Sequence, residues 1–196
     1  MSSGMSCLHS LVIAGCILVA MNASAQEASF VRDVAQRLNQ QRVQHRLKPL
    51  KYSKTLEKAA QAHAEWMARN QTMVHLQDAP KSVDEHRTCN EHPANRVVNT
   101  GYFKWDDLFL VEPTPTGAVV HPKPGANQSV GEIIAKGAGA GHPATQPQSI
   151  VPGWMNSPGH RATILTPEFQ EFGVGTACID NDTYWCVVFG KPRRER

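Results

Sequence analysis

The stretch that carries most of the information on the fold of this chain is Gly153-Trp154-Met155-Asn156-Ser157-Pro158-Gly159-His160-Arg161. Pro158-Gly159 is a strong turn signal, so we expect a turn that lifts His160 off the preceding element. An imidazole held on a rigid turn suits metal ligation or proton transfer. The alternative is a structural, hydrogen-bonded histidine, and the rest of the chain has to decide between the two.

The first 25 residues are typical of a secretory signal peptide. An apolar run from Leu11 to Met21 precedes the small-residue pattern Ala23-Ser24-Ala25, which predicts cleavage before Gln26. The run is too short to span a bilayer, so we expect a secreted or periplasmic mature protein without a membrane span. A second interpretation reads Ile13-Ala14-Gly15-Cys16 as a lipoprotein box, but the apolar run continues past Cys16, which favours the signal peptide.

The formal net charge of the 196 residues is +3. It lies in a basic tail, residues 191–196, and the rest of the chain is neutral. A neutral body without a basic face or interleaved aromatics is not typical of a nucleic-acid-binding protein, so we expect no nucleic-acid partner. The tail itself is interpreted as a solvated chain end.

Cys178 and Cys186 flank a polar turn between two β-rich runs. If the runs pair so that the two residues face each other, an oxidising compartment would favour a disulfide, and we predict this bridge. Cys89 is then left without a partner and is either free or used between molecules. The sequence contains no CxxC motif, so thiol chemistry is not indicated.

Helical periodicity predicts two early helices, one starting at Ser29 and one from near Ser53 to about Asn70. The second carries His63 on its alanine-rich apolar side, where a buried, hydrogen-bonded histidine is favoured over a ligand. The end of the chain, residues 172–190, predicts an antiparallel hairpin. Helices early and strands late indicate an α+β protein.

Between these parts, residues 102–111 form an aromatic and apolar patch that we interpret as a strand or short hairpin. The proline- and glycine-rich residues that follow predict an extended excursion of the chain. Gly131-Glu132 then places an acid at the start of an apolar run.

Taken in order, short motifs over most of the chain resemble the CAP superfamily, also called the SCP domain, in its bacterial secreted branch. These motifs are Leu38-Asn39, Arg42, Pro49-Leu50, Leu56, Ala59-Ala60, Ala64, Met67-Ala68, His75, Arg96, Gly101-Tyr102, Gly131-Glu132, Trp154, Ser157-Pro158-Gly159-His160-Arg161, Ile164-Leu165, Gly173-Val174-Gly175 and Phe189-Gly190. The resemblance implies a three-layer α-β-α sandwich with a central, mainly antiparallel sheet. It also implies one domain over 26–190, with an insertion near 103–130.

In the CAP superfamily a cavity gathers two histidines and two glutamates, and in some members it holds a divalent cation such as zinc. By resemblance, the first His is His75, the first Glu is Glu132 and the second His is His160. The second Glu would lie three residues after Trp154, where this chain has Ser157. The resemblance therefore implies an incomplete set of metal ligands.

Two imidazoles and a carboxylate form a sound zinc-ligand set that leaves one position open for water. Such a site could activate water for hydrolysis, but the sequence has no HExxH motif and no second carboxylate placed as a general base. Ser157 is better interpreted as a brace of the turn than as a nucleophile. Glu132 and Arg161 could instead orient the two imidazoles by hydrogen bonds.

The hypothesis that follows is a secreted CAP-domain protein that binds a lipid or cell-envelope ligand without catalysis. Its cleft would accept zinc or another divalent cation, with Trp154, Ser157 and Arg161 as support, and would need no cofactor. One alternative is a metal-dependent hydrolase that uses the same cleft. Another is an extracellular protein-interaction module whose specificity lies in residues 113–128.

Overall fold

The structure is a computed structural model that describes residues 28–78, 82–115, 117–126, 129–139 and 145–192. The predicted signal peptide (1–25), the alternative lipid-anchored Cys16 and the tail residues 193–196 lie outside this part of the chain. Within it, no helix combines the length and the apolar character needed to cross a membrane.

Helices and strands follow one another in the order α1, β1, α2–α5, β2–β4, α6, α7, β5 and β6. The helices are α1 (28–44), α2 (Lys54–Arg69), α3 (Val83–Thr88), α4 (Pro93–Asn99), α5 (Trp105–Leu108), α6 (Pro147–Asn156) and α7 (Pro158–Ile164). The strands are β1 (Lys51–Tyr52), β2 (Phe109–Thr114), β3 (Gly117–Pro122), β4 (Val130–Gly137), β5 (Glu171–Ile179) and β6 (Asp182–Gly190).

The central sheet has four strands in the order β1-β5-β6-β4. β5, β6 and β4 are antiparallel to one another, and the two residues of β1 pair with β5 in parallel. One face of the sheet packs on α2 and α4, and the other packs on α1, α6 and α7. The predicted α-β-α sandwich and its C-terminal hairpin are therefore confirmed.

Helix α2 lies unusually close to β5 because glycines in the strand face small residues in the helix. A Cβ atom added to Gly173 would lie 2.0 Å from the backbone nitrogen of Glu57, and one added to Gly175 would lie 2.3 Å from that of Gln61. Ala60 and Ala64 are fully buried in the same layer. Only glycine allows this approach of helix backbone to strand backbone.

A buried arginine holds the C-terminal end of α7 against α1. Arg42 of α1 is 1 % exposed, and its guanidinium donates to the carbonyls of Lys48, Ile164, Thr166 and Phe169 at 2.7–3.4 Å. These carbonyls lie at or beyond the ends of helices, where the backbone has no partner within the helix. Arg42 therefore fixes the position of α7, on which His160 lies.

Residues 103–130, predicted to be an insertion, form α5 and a separate two-stranded antiparallel sheet of β2 and β3. The aromatic patch, predicted to be a strand or short hairpin, is a strand only from Phe109 onward because Trp105–Leu108 is helical, and β3 lies in the part predicted to be an extended excursion. Trp105 and Phe109 are buried, and both rings contact the imidazole of His86. This segment thus packs on the domain through its aromatic end, and its status as an insertion stays a prediction.

The predicted disulfide between Cys178 and Cys186 is wrong. The turn of the hairpin is only Asp180 and Asn181, so Cys178 faces Thr183, and Cys186 faces Gly175. With this register the two side chains lie on opposite faces of the sheet, since successive side chains in a strand alternate. Cys178 is exposed, Cys186 is buried, and all three described cysteines are unbridged.

We predict that Gly175→Ala destabilises the protein by about 1–3 kcal/mol, because the added methyl group overlaps the backbone of α2. Gly153→Ala is the matched control. It lies within α6, its added Cβ would meet no atom within 4 Å, and alanine should stabilise a helix by about 0.5–1 kcal/mol. Urea unfolding followed by circular dichroism measures both. Equal stabilities of the two variants would contradict the close approach of α2 and β5.

Candidate functional site

The three residues predicted to form the cleft come from three different elements. His75 lies in the connection between α2 and α3, Glu132 is the third residue of β4, and His160 is in the first turn of α7. β4 is an edge strand of the central sheet in the described chain. The candidate site therefore lies at one edge of the sheet, where a connection and a short helix meet the strand.

The Glu132 side chain is the buried centre of this group, with an exposed fraction of 1 %. Its Oε2 accepts a hydrogen bond from Arg96 at 2.6 Å, and its Oε1 accepts one from Nδ1 of His75 at 2.9 Å. Burial alone would raise the pKa of this carboxyl, but the Arg96 charge and the His75 hydrogen bond outweigh it and lower the pKa. Glu132 is therefore an ionised carboxylate.

Arg96, on α4, organises the site beyond its contact with the carboxylate. Its guanidinium also donates to the carbonyls of Asn90 and Glu91 at 2.9 and 3.1 Å, and to that of His75 at 3.1 Å. The residue is 2 % exposed. One buried cation thus connects β4 to the segment that carries His75 and to the segment before α4.

His75 joins this buried network to the solvent. An ionised carboxylate can only accept a hydrogen bond, so Nδ1 of His75 carries the hydrogen that Glu132 binds. In the neutral ring, Nε2 then has a free lone pair on the side away from Glu132. The side chain is 45 % exposed, which leaves this nitrogen accessible.

A second histidine, His63 of α2, packs behind His75. It is fully buried, its Nε2 donates to the carbonyl of Val74 at 3.0 Å, and its Nδ1 accepts from the Gln77 amide at 2.9 Å. Burial, with a contribution from the Arg96 charge, lowers the pKa of His63 to about 4. The prediction of a buried, hydrogen-bonded histidine is confirmed, and both ring nitrogens are already used.

His160 lies near His75 but not on the predicted turn. Pro158 is the first residue of α7, where its missing N–H costs nothing because the first turn of a helix has free N–H groups. The expected Pro-Gly turn is therefore a helix start, and His160 is held by helical backbone. Burial, followed by the charge of nearby His75, lowers the pKa of His160.

The predicted support residues have separate roles in the structure. Trp154 is buried, and its Nε1 donates to the carbonyl of Ile134 at 3.1 Å, which holds α6 against β4 two residues from Glu132. Ser157 separates α6 from α7, and its carbonyl accepts from the Arg161 backbone at 2.9 Å. The Arg161 side chain contacts Nε2 of His45 at 3.3 Å. The structure therefore places Arg161 beside His45, just after α1, and its role in orienting His75 or His160 stays a prediction.

Cys186 is a further group at the carboxylate. Its thiol is buried and lies 3.5 Å from Oε2 of Glu132. Burial and the neighbouring carboxylate raise the pKa of this thiol well above its ordinary value. Cys186 is therefore a neutral hydrogen-bond donor and not a reactive thiolate.

The arrangement of Glu132 bears on the predicted metal site. Both of its oxygens already accept short hydrogen bonds, one from a cation. Among the described residues, no group of three or more His, Cys, Asp or Glu side chains is placed to hold a metal ion. The ligand set His75, Glu132 and His160 therefore stays a prediction, in which the carboxylate is already engaged by Arg96 and His75.

Two residues of the site, Arg96 and His63, had no assigned role in the sequence analysis. One signal points to a residue such as Arg96. Glu132 is an acid inside an apolar strand, and a buried acid of this kind requires a cation nearby. The sequence does not show which of the many arginines and lysines comes close. His63 was placed correctly as a core residue, but its spacing of 12 residues from His75 gives no indication that the two contact one carboxylate.

Comparison with known proteins identifies the family. The family model CAP, described as the cysteine-rich secretory protein family, matches residues 35–189. This chain belongs to that family. The resemblance noted in the sequence is confirmed by this match over most of the chain.

Individual relatives are distant. The uncharacterized protein YkwD of Bacillus subtilis (strain 168) is 25 % identical over 168 residues, which cover 86 % of this chain and 49 % of YkwD. The chain thus spans about half the length of this curated relative.

Two solved structures share the fold. An outer surface protein of Borrelia burgdorferi has a TM-score of 0.58 at 20 % identity, covering 84 % of this chain and 94 % of that one. An extracellular protein containing an SCP domain from Bacillus anthracis strain Ames has a TM-score of 0.54 at 21 % identity, covering 84 % and 41 %. At these identities the likeness concerns the fold alone.

The buried His63 predicts a stability that falls as the pH is lowered. The unfolded chain binds a proton on this residue near pH 6.5, whereas the folded protein does so only near pH 4. Unfolding therefore becomes more favourable as the pH falls through that window, and the shift corresponds to about 3 kcal/mol. His63→Gln should remove most of this loss between pH 6.5 and 4.5, as measured by urea unfolding at each pH.

His121→Gln is the control, because His121 lies on the surface hairpin with 47 % of its side chain exposed. It should leave the pH dependence as in the unchanged protein. His86 and His160, whose pKa values are also lowered by burial, keep their parts of the slope in both variants. A steep loss of stability that persists in His63→Gln would contradict the assignment.

Proposed function

We propose that this protein is an exported, non-enzymatic binding protein of the CAP family. Its ligand is a lipid or another cell-envelope component, bound beside His75 and His160. The two imidazoles can accept a divalent cation such as zinc, with Glu132 behind them as an orienting acid. The observation that carries the proposal is the hydrogen bond from Nδ1 of His75 to the buried Glu132, combined with the exposure of the rest of that ring.

The hydrogen bond prepares His75 for a ligand in two ways. It places a hydrogen on Nδ1 and leaves Nε2, the nitrogen that a metal would bind, on the far side of the ring. It also fixes the plane of the ring, as the carboxylate behind a metal-bound histidine does in known metal sites. A divalent cation would take Nε2 of His75 and a nitrogen of His160, and it would supply a Lewis-acidic centre to which an oxygen of the ligand can bind.

Several features support binding over catalysis. The one buried carboxylate of the group is engaged by Arg96 and His75, so it is poorly placed to take a proton from water. The pKa of the Cys186 thiol is raised, which makes it a poor nucleophile. Ser157 lies between two helices and braces the second of them through its backbone carbonyl, which agrees with a structural role.

The surface around His75 supports an apolar ligand. Met73, Val74 and Leu76 are 50 %, 41 % and 48 % exposed, although they lie next to a polar site. We call these three side chains the apolar rim. Large apolar side chains grouped at the surface mark ligand or membrane contacts more often than scattered single ones do. A lipid or an envelope polymer with apolar groups could cover the rim while a polar group reaches His75.

The proposed export rests on the predicted signal peptide of residues 1–25 and on the family, which takes its name from secretory proteins. Cleavage near Ala25 would release the mature chain, and a lipid anchor at Cys16 is the alternative fate of the same segment. Mass spectrometry of the exported protein distinguishes the two, because acylation leaves Cys16 as the modified first residue.

For the metal we expect zinc to bind the purified mature protein, with affinity lost by at least about tenfold in His75→Ala and in His160→Ala. His121→Ala is the control, since it removes an imidazole of similar exposure far along the chain from His75. Isothermal titration calorimetry measures all four proteins. Unchanged affinity in the two site variants would exclude the proposed cation site.

The same proteins distinguish the hydrolase alternative. If the zinc-loaded protein cleaves ester or peptide substrates, and if both site variants lose that activity while the control keeps it, catalysis replaces binding as the function. If no cleavage is measured while zinc still binds, the cleft is a binding site only.

For the ligand we expect the protein to bind vesicles of phosphatidylethanolamine and phosphatidylglycerol through the apolar rim. Met73→Ser combined with Leu76→Ser should weaken binding by at least about tenfold, because burial of the exposed half of each side chain is worth about 0.8–1.5 kcal/mol. The matched control is Val111→Ser with Val119→Ser, two exposed apolar residues of the β2–β3 hairpin. Equal co-sedimentation of both double variants would contradict a lipid contact at the rim.

A further inference from the structure

His86 of α3 lies where the elements α5, β2 and β3 pack on the rest of the domain. We call these three elements the α5–β3 unit. The imidazole packs edge-on against two buried rings of the unit, with ring centroids 5.8 Å apart for Trp105 and 4.8 Å apart for Phe109. His86 itself is 8 % exposed. A titratable ring is thus part of the aromatic contact that holds the unit on the domain.

Two nitrogen donors face the same nitrogen of this ring. Nε1 of Trp105 donates to Nδ1 of His86 at 3.3 Å, and Nδ2 of Asn95, on α4, lies 3.4 Å from the same atom. An indole N–H can only donate, so Nδ1 has to accept through its lone pair. The hydrogen of the neutral ring is then on Nε2. The contact with Trp105 therefore requires His86 to be neutral.

The side-chain amide of Asn95 is fixed in its orientation. Its Oδ1 accepts from the backbone nitrogen of His92 at 3.3 Å, and its Nδ2 donates to the carbonyl of His86 at 2.8 Å. A rotated amide would present its oxygen to Nδ1, but it would lose both of these backbone contacts. In the docked arrangement, neither of the two groups at Nδ1 therefore accepts a hydrogen bond from a protonated ring.

The charged side chains of α3 and α5 do not stabilise a protonated ring. On α3, Asp84 and Glu85 are exposed. The guanidinium of the neighbouring Arg87 lies 4.2 Å from the centre of the Trp105 ring and 3.6 Å from the carboxylate of Asp106, on α5. The acid of α5 thus interacts with an arginine, and that arginine is a cation beside the same indole.

The strands of the unit turn an uncharged face toward the domain. In the register of the hairpin, Phe109 and Val120 lie on one face, and Glu112 and His121 lie on the other, since successive side chains in a strand alternate. Phe109 and Val120 pack in the same core cluster as Trp105. The titratable groups of β2 and β3 are therefore directed away from the core contact.

Burial lowers the pKa of His86 from its ordinary value of 6.5. The charge of Glu91, before α4, partly offsets this effect, and the charge of His92 adds to it. The direction agrees with the geometry at Nδ1, because both favour the neutral ring when the unit is docked.

We propose that His86 is a pH-sensitive switch, in which protonation of Nδ1 breaks the contact with Trp105 and favours opening of the α5–β3 unit. In the open state the ring is in water and binds a proton near pH 6.5, whereas in the docked state it does so only at lower pH. Opening therefore becomes more favourable as the pH falls below 6.5, by up to about tenfold per pH unit, until the docked ring is protonated as well.

The open state would expose Trp105, Leu108 and Phe109, which are buried when the unit is docked. An acidic medium would thus increase the aromatic surface that this protein presents. The switch is independent of the proposed function, because none of these residues belongs to the cleft or to the apolar rim.

Hydrogen exchange of backbone amides measures local opening of the unit in the mature protein. After correction for the intrinsic effect of pH on exchange, protection of the β2 and β3 amides should fall by at least about fivefold between about pH 7.5 and 5. In His86→Gln the fall should be less than about twofold, because glutamine can still accept from Trp105 but does not titrate. His92→Gln is the control, since it removes a neighbouring histidine that is 43 % exposed, and it should keep the fall.

Two results of this experiment would overturn the proposal. One is the same fall in His86→Gln as in the unchanged protein. The other is exchange of the β2 and β3 amides only together with those of β6, because a unit that never opens separately from the central sheet cannot be switched.

The ring nitrogens of His86 keep the proposal testable if the glutamine variant does not fold. Nitrogen NMR of the unchanged protein at neutral pH should show the hydrogen on Nε2 and none on Nδ1. Trp105→Phe keeps an aromatic ring but removes the donor, so the pKa of His86 should rise in this variant. A hydrogen on Nδ1 at neutral pH, or an unchanged titration of His86 in Trp105→Phe, would contradict the switch.

Discussion

The ion pair between Glu132 and Arg96 is the interaction on which the candidate site depends. A carboxylate that is 1 % exposed beside an apolar strand can stay ionised only with a cation and hydrogen bonds around it. Arg96 supplies the cation at 2.6 Å and binds the His75 carbonyl with the same nitrogen. Loss of either partner would leave a buried charge unpaired, which typically costs about 3–5 kcal/mol. The arginine that pairs with Glu132 therefore also fixes the backbone of the exposed His75.

This coupling explains how the exposed residues 73–77 can have a defined position on the domain. The side chains of Met73, Val74 and Leu76 gain little from packing, since about half of each is in solvent. The backbone of this segment is held by buried hydrogen bonds. His63 donates to the Val74 carbonyl and Arg96 donates to the His75 carbonyl. The Gln77 nitrogen donates to the Glu91 carbonyl. Buried polar contacts thus replace hydrophobic packing as the source of order. A surface built in this way keeps a defined shape without being covered.

How far the sequence predicts this structure depends on the range of the interactions. The hairpin of β5 and β6 and the helix α2 follow from local periodicity, and the packing of α2 on β5 follows from glycine and alanine. The register of the hairpin depends on a two-residue turn, in which Asp180 has a φ of +52°, and sequence alone misplaced Cys178 opposite Cys186. Proline followed by glycine suits a turn and a helix start equally well, so the start of α7 needed tertiary context. The resemblance to the CAP superfamily named His75, Glu132 and His160, but pattern alone could not assign Arg96, because a long-range charge contact leaves no periodic trace.

The candidate site lies at the β4 edge of the central sheet, and contrasts there with the closed middle of the sheet. The middle of the sheet is closed on both faces, since β6 buries Trp185, Val187 and Phe189 on one face and Tyr184, Cys186 and Val188 on the other. At the edges, side chains bind the backbone of the strands: Gln61 and Tyr52 bind β5, and Trp154 donates to the Ile134 carbonyl of β4. Such side chains stop the addition of further strands, and they also leave concave, partly polar surfaces next to a rigid layer. At the β4 edge the Trp154 contact lies two residues from Glu132, so the side chain that protects this edge also helps to fix the position of the candidate site.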